Sequence, residues 1–376
     1  MVSTARLSYE QAAWFRAQRT GLAVPFADLP SAAAGVLGAQ AQIEAPARWA
    51  LAMRTIGVPT SDEVRNALLQ NRSLVRVWGQ RDTVHMYAAD DWCLFATAQT
   101  LWPRSARAGG MPTDGELQDF VHHVGRMAKV FTRSDVLDIV PGRLVDEFTR
   151  NPVNNDLPER MAATRMIWRA GSLGGICTTS MVGREQGYAA RSWWLPNLVW
   201  PTMNATDACV EVVRRYLRTW GPARPQDVAH YLGARVTDVR GWLDALRDEV
   251  VEVKVEGAAG WLAHVLDLEI LQQAAPSALS NDWPTRLLPA YDTQMMSHAA
   301  KEYVVTHEPD RPRVWGKAAI VNATVIHRGR FVATWKHKVT RKAVEYELDP
   351  LTGHAPDLAE QGSAFDGRAF ARHVGV

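Results

Sequence analysis

Between Pro225 and His264 the spacing of apolar residues changes from helical to alternating. Pro225-Gln226-Asp227 opens a short helix ending at Gly233. After a polar turn, Thr237 is expected to cap a second helix, with Val239, Trp242, Leu243 and Leu246 at helical spacing. Val251, Val253 and Val255 then alternate with Glu252 and Lys254, Gly257 to Gly260 turns the chain, and Trp261 to His264 returns, the pattern of a β-hairpin. Helix, turn, helix and hairpin in that order predict a winged helix, the helix-turn-helix variant with a β wing. A second copy begins at Thr132, whose hydroxyl is expected to cap a helix from Arg133 to Val140. It continues through a helix around Glu159 to Ala170, and its hairpin pairs Gly175 to Thr179 with a strand near Tyr188. In the first copy, Thr60 and Glu63 form a capping-box signature for a helix through Leu69, and Leu74 to Trp78 alternates with Thr83 to Tyr87 about Gly79-Gln80. Beyond about Ile270 strands dominate, with Ala319 to Val325 and Arg330 to Trp335 flanking His327-Arg328-Gly329.

The expected fold class is α+β, predominantly helical: three tandem winged-helix motifs over 1–115, 116–205 and 206–270, then a C-terminal β element over 271–376. With 376 residues and 47% apolar content the chain can bury several cores, so disorder is not the default. No charged-then-apolar leader follows Met1 and no apolar run approaches the roughly 20 residues of a membrane span, so a cytoplasmic protein without a membrane partner is expected. Cys93, Cys177 and Cys209 are far apart and outside any Cys-x-x-Cys spacing, which suggests neither a disulfide framework nor a thiolate metal site. The net charge is only +2, yet nine cations run from Arg311 to Lys342 without an acid, Arg328, Arg330, Lys336 and Lys338 among them. Such a run fits either a polyanion partner or a solvated face balanced elsewhere in the fold.

Upstream, Gly38-Ala39-Gln40-Ala41-Gln42 sits in a Gly/Ala-rich turn between two short helical segments. Two glutamines two apart are weak evidence alone, and both can simply satisfy turn backbone. The order and spacing of several stretches carry more. These are the Gln-x-Gln segment, Arg54 in the following helix, Arg76-Val77-Trp78-Gly79-Gln80-Arg81-Asp82-Thr83-Val84-His85, Leu287-Leu288-Pro289-Ala290-Tyr291-Asp292, and the strand pair Ala319 to Trp335. Together they resemble the AlkZ-like family of winged-helix DNA glycosylases, which has a YcaQ-like branch, over nearly the whole chain. The resemblance implies a C-shaped DNA-binding architecture whose glutamine pair faces the DNA channel. The Thr83-Val84-His85 hairpin resembles the element that enters the minor groove. Gln42 follows the AlkZ-like branch, since the YcaQ-like branch typically carries aspartate there, and Asp82 stands where relatives often have glycine.

The chemistry of the residue type agrees with that resemblance. Glutamine is neutral, with one carbonyl acceptor and two amide hydrogens to donate. That suffices where the leaving base is already cationic: an N7-alkylguanine departs neutral and needs no proton donor. Amides that face the oxocarbenium-like sugar and hold a water in line act by preorganisation. Gln40 and Gln42 are assigned jointly to this role. Asp292 is a secondary candidate for stabilising positive charge, or else a buried aspartate bonded to backbone. Arg54, Arg76 and Arg81 are expected to contact phosphate or to form structural ion pairs, and Thr83 and His85 to contact the minor groove or phosphate. No lysine lies near the motif in sequence, which favours a monofunctional hydrolase over a lyase. The expectation is a monomeric, nucleoid-associated DNA glycosylase without metal or cofactor. It would release alkylated purines from double-stranded DNA, including bulky genotoxin adducts or interstrand crosslinks, in repair or toxin self-resistance. The alternative is a non-catalytic winged-helix regulator.

Overall fold

The computed structural model describes residues 4–102, 110–152, 156–277, 280–354 and 356–376. In chain order its strands are β1 (Arg6–Leu7), β2 (Ala39–Gln40), β3 (Leu74–Trp78), β4 (Val84–Ala88), β5 (Ile176–Val182), β6 (Glu185–Ala190), β7 (Val250–Val255), β8 (Ala258–His264), β9 (Arg286–Leu288), β10 (Thr324–His327), β11 (Arg330–Val339) and β12 (Val344–Pro350). They form three sheets, ordered β2-β4-β3-β5-β6, β1-β7-β8 and β12-β11-β10-β9. Helices dominate the rest, so the α+β expectation holds. Among the described residues no helix is long and apolar enough to cross a membrane.

Each expected hairpin forms, and helices precede each one. The Thr60 hydroxyl accepts the Glu63 N–H at 3.3 Å while the Glu63 carboxylate takes the Thr60 N–H at 2.7 Å, closing the box that starts the helix Ser61–Leu69. In the second copy the expected cap is reversed. Asp135 is the stronger acceptor and takes both the N–H and the hydroxyl of Thr132, at 2.7 and 2.8 Å, and the segment closes as a 3-10 turn over Ser134–Ile139. In the third copy the helix Val236–Asp244 starts before Thr237, which therefore does not cap it. The turn of its hairpin is shorter than expected. Glu256 (φ 49°) and Gly257 (φ 78°) alone make the bend, a left-handed pair that matches the twist of the flanking strands, and Ala258 to Gly260 belong to β8.

The sheets do not follow the sequential boundaries. The first two hairpins join edge to edge, with Arg76 of β3 opposite Thr178 of β5, in one five-stranded sheet. β1 pairs in parallel with β7 of the third hairpin, so the N-terminal strand is part of the third unit and not of 1–115. A single apolar core runs from Tyr9 to Phe370, and smaller ones lie within the second unit and around Trp261. β11 is longer than β10, which pairs with it only over Arg330–Thr334, so the β11–β12 hairpin extends past the C-terminal sheet and ends in the exposed Thr340–Ala343 turn.

Candidate active site

The helix Leu29–Gly35 ends at Val36, and Leu37 (φ 58°) and Gly38 (φ 88°) turn the chain into the edge strand β2. Glycine is required at 38: the backbone is left-handed, and a Cβ would lie 2.3 Å from the Tyr87 ring. β2 pairs with β4 so that Gln40 faces His85 and Ala39 faces Met86. Residues directly opposite in an antiparallel pair share a face, so Gln40, His85 and Val77 lie on one side and Arg76 on the other. Gln42 follows, exposed, just before the helix Glu44–Ala52.

The expected phosphate contact Arg81 holds Gln40 instead. Its Nη2 donates to Gln40 Oε1 at 3.0 Å, and its Nη1 donates to the Tyr231 carbonyl. Guanidinium only donates, so the Gln40 amide must present its oxygen to Arg81 and its two hydrogens elsewhere. Arg81 itself is in the left-handed region, held in a turn where Thr83 donates its hydroxyl to the Gln80 carbonyl at 3.1 Å. That turn is anchored by the fully buried Gln80, whose amide donates to Leu37 O at 2.8 Å and to the Tyr231 hydroxyl at 3.3 Å and accepts from the Tyr87 hydroxyl. Tyr231, from the helix Pro225–Leu232 of the third unit, in turn donates to the carbonyls of Val36 and Leu37. The glutamine loop, the first hairpin and the third unit thus meet in one buried polar network.

His85 does not meet its expected role at the DNA surface. It is 2% exposed, and its Nδ1 lies 3.0 Å from Thr83 O, an acceptor, so Nδ1 carries the proton. Burial, and then the Arg81 charge, push its pKa down to about 3, which leaves the ring neutral at physiological pH. Arg76 likewise turns inward. Its Nε donates to Ala41 O at 2.9 Å, its Nη2 reaches Gln42 O at 3.5 Å, and its Nη1 donates to Gln186 Oε1 at 3.0 Å, so it braces the backbone of the motif from the opposite face.

Arg54 and Asp292 find each other. The guanidinium and carboxylate form a two-pronged pair at 2.8 and 2.7 Å with side chains 1% and 0% exposed, and Asp292 also accepts the Gln294 N–H at 2.9 Å. Of the two readings open for each residue the structure shows the structural one: Arg54 is buried in an ion pair, away from any surface phosphate, and Asp292 is a buried aspartate with both oxygens on Arg54. Part of the basic run is paired with acids outside it. Arg328 pairs with Glu10 and lies over the Trp283 ring, and Arg313 pairs with Asp310 and Asp349. Arg330 donates to Tyr303 O at 3.0 Å beside the Tyr9 ring, while Lys336 and Lys338 stand opposite Glu347 and Glu345. Arg341 and Lys342 project at the exposed β11–β12 tip. No lysine is near the motif in sequence, and in the fold Lys301 comes within range of the Arg81 charge. Burial lowers its pKa to about 8, and it donates to Met295 O at 3.0 Å and His298 O at 2.6 Å.

No curated protein matches the sequence. The solved structure of the Streptomyces sahachiroi DNA glycosylase AlkZ superposes with a TM-score of 0.76 at 21% identity, covering 99% of this chain and 98% of that one, so the two share a fold. The family model described as DNA glycosylase AlkZ-like matches residues 33–373, from the helix before the glutamine motif almost to the C-terminus, and the chain therefore belongs to the AlkZ-like family of DNA glycosylases.

Proposed function

We propose that the protein is a monofunctional glycosylase for purines made cationic by alkylation, N7-alkylguanine above all. The carrying observation is the pairing of two neutral amides with a histidine held uncharged. Gln40 shares a sheet face with His85, whose pKa of about 3 leaves it no proton to give at neutral pH. A base that needs protonation to leave is a poor substrate for such a site. An N7-alkylguanine is not: as its glycosidic bond breaks, the electron pair moves to N9 and cancels the positive charge. Water then adds its oxygen to the sugar C1′ and loses a proton to solvent.

The amides divide the work. Gln40, with its oxygen on Arg81, offers its two hydrogens to the sugar-phosphate or to the water oxygen. Gln42, exposed and without that cation on its carbonyl, is the better acceptor for a proton of the attacking water and the better dipole toward the sugar cation. The helix–helix–hairpin units act as tandem winged helices along a duplex, and the β11–β12 tip with Arg341 and Lys342 supplies phosphate contacts. The protein works as a monomer at the nucleoid, in repair or in protection against a genotoxin. A lesion panel tests the reading: heat or alkali after incubation should break strands at N7-methylguanine and N3-methyladenine and leave uracil, 8-oxoguanine and ethenoadenine intact. Efficient uracil release would require an acid outside this scheme, and a footprint without breaks would favour the regulator. Gln42→Glu, which keeps an acceptor, should retain more activity than Gln42→Ala.

A further inference from the structure

A cavity of about 590 Å³ opens between the start of the helix Glu44–Ala52, the protruding end of β11 and the C-terminal helix Pro356–His373. Its inner walls are largely aromatic, and the two indoles among them have no N–H left to donate. Trp49 and Trp335 spend their indole N–H groups on Leu287 O and Leu288 O, at 2.9 and 2.8 Å, and turn their rings against Phe370, whose centroid lies 5.0 and 5.6 Å away. His373 closes one side, its Nδ1 fixed by Pro59 O at 2.7 Å, and burial lowers its pKa, so it adds a neutral ring. Val339 contributes an apolar edge where it is 45% exposed, at the solvent side of β11. Charged residues mark the rim: Arg48 pairs with Glu44 at 3.4 Å, Arg65 with Asp62 at 3.9 Å, and Arg372 is exposed.

The position ties this cavity to the glutamine motif. Pro46 lines it four residues after Gln42, a stretch that spans at most about 14 Å when fully extended. Arg65 borders both this cavity and a second one of about 370 Å³ that Arg76 also lines, and Arg76 is the residue that grips the Ala41 and Gln42 carbonyls. The volume falls in the range of sites that take drug-sized ligands, with apolar walls and a few polar groups. The aromatic walls suit an uncharged planar group, and the exposed Arg372 at the rim suits a DNA phosphate beside it.

We propose that this cavity is a second recognition site, which receives the apolar aromatic substituent of a bulky N7-purine adduct while the glutamines act on the sugar, an inference that rests on the glycosylase reading above. The base and sugar are then read at the motif, and the appended group a short distance away. Lesion choice within the cationic class is set by what the cavity accepts.

The test uses the full chain and duplexes carrying either N7-(2-naphthylmethyl)guanine or N7-methylguanine. Val339→Asp places a charge at the cavity edge at a solvent-facing position, and Ala290→Phe fills its wall. Each variant should lose tenfold or more in single-turnover excision of the naphthylmethyl lesion and stay within about twofold of the parent on the methyl lesion. Loss of both lesions in proportion, or of neither, overturns the assignment. Binding to the same two lesions on 2′-fluorinated, non-hydrolysable sugars reads the cavity apart from catalysis. The naphthylmethyl duplex should bind at least tenfold more tightly, and Val339→Asp should abolish that preference. Equal affinities overturn the cavity even where both lesions are released; a preference without release of either lesion overturns the glycosylase reading alone. A concentration-dependent dimer that Val339→Asp dissolves would overturn it too, by making this face an interface between copies.

Discussion

Arg81→Met separates two accounts of the same arginine. A phosphate contact contributes to affinity and to its salt dependence, whereas a residue that orients Gln40 contributes to the rate. The substitution removes a charged hydrogen bond of 3.0 Å to Gln40 Oε1 and the bond to Tyr231 O. Hydrogen bonds to charged groups contribute about 1.5–3 kcal/mol. If the lost orientation is expressed fully in the transition state, excision of N7-methylguanine should slow by about 10- to 150-fold under single-turnover conditions with saturating protein. The slope of log affinity against log salt should stay at the parent value, since no phosphate is lost from the footprint. Arg81→Lys sharpens the comparison. An ammonium restores the charge but not the planar fork that spans Gln40 and Tyr231, so it should remain slow. A variant that excises at the parent rate when saturated, with its salt slope reduced by about 0.9, would refute the positioning role and restore the phosphate contact.

Asp292→Asn should act on stability first. Breaking a buried pair costs about 3–5 kcal/mol, which for a chain of 376 residues melting as one unit is a drop of roughly 4–6 °C in Tm; an inactive variant that melts like the parent would return Asp292 to the catalytic group. Stability should also fall on mild acidification. His85 and His230 are held neutral when folded, with pKa values of about 3 and about 4 against an unfolded value near 6.5. The unfolded chain therefore binds more protons below pH 6.5, and each histidine removes up to about 1.4 kcal/mol per pH unit until its folded pKa is reached; identical urea midpoints at pH 7.5 and 5.0 would contradict this. Arg341→Ala with Lys342→Ala should lower the salt slope of duplex binding, while Arg328→Ala, whose charge is already taken by Glu10, should not; the reverse order would put the footprint elsewhere. Borohydride should trap no protein–DNA adduct, because the Lys301 ammonium is tied to two carbonyls, and a crosslink lost in Lys301→Met would make the protein a lyase.

The hairpins and the box at Thr60 were legible in the sequence because their signals are local: alternation over five residues, and an acceptor three residues before a glutamate. Position along the chain could not show that Arg81 turns back onto Gln40, because its left-handed backbone directs the side chain into the protein and its second partner, Tyr231, reads as an ordinary core residue of a distant helix. The basic run left two readings open for a related reason. Counting charges within a segment ignores the acids that pairing brings alongside, and Glu345 and Glu347 lie just beyond its end. Arg54 and Asp292 were each noticed singly, one as a phosphate contact or a structural ion pair, the other as a stabiliser of positive charge or a buried aspartate. Only folding shows that each is the other's counter-ion.

The Tyr231 carbonyl that holds Arg81 lies 150 residues downstream of it. Read in the order of synthesis, the glutamine pair leaves the ribosome long before its brace. At about 5–20 residues per second the 191 residues from Gln40 to Tyr231 take roughly 10–40 s, during which Arg81 lacks the partner that holds it on Gln40. The assembled site therefore appears only when the third unit has emerged and docked, so on the mechanism proposed above a nascent or prematurely ended chain carries the motif without the geometry for cutting a glycosidic bond. Completion of the chain is in this sense the last safeguard on an enzyme whose substrate is the genome.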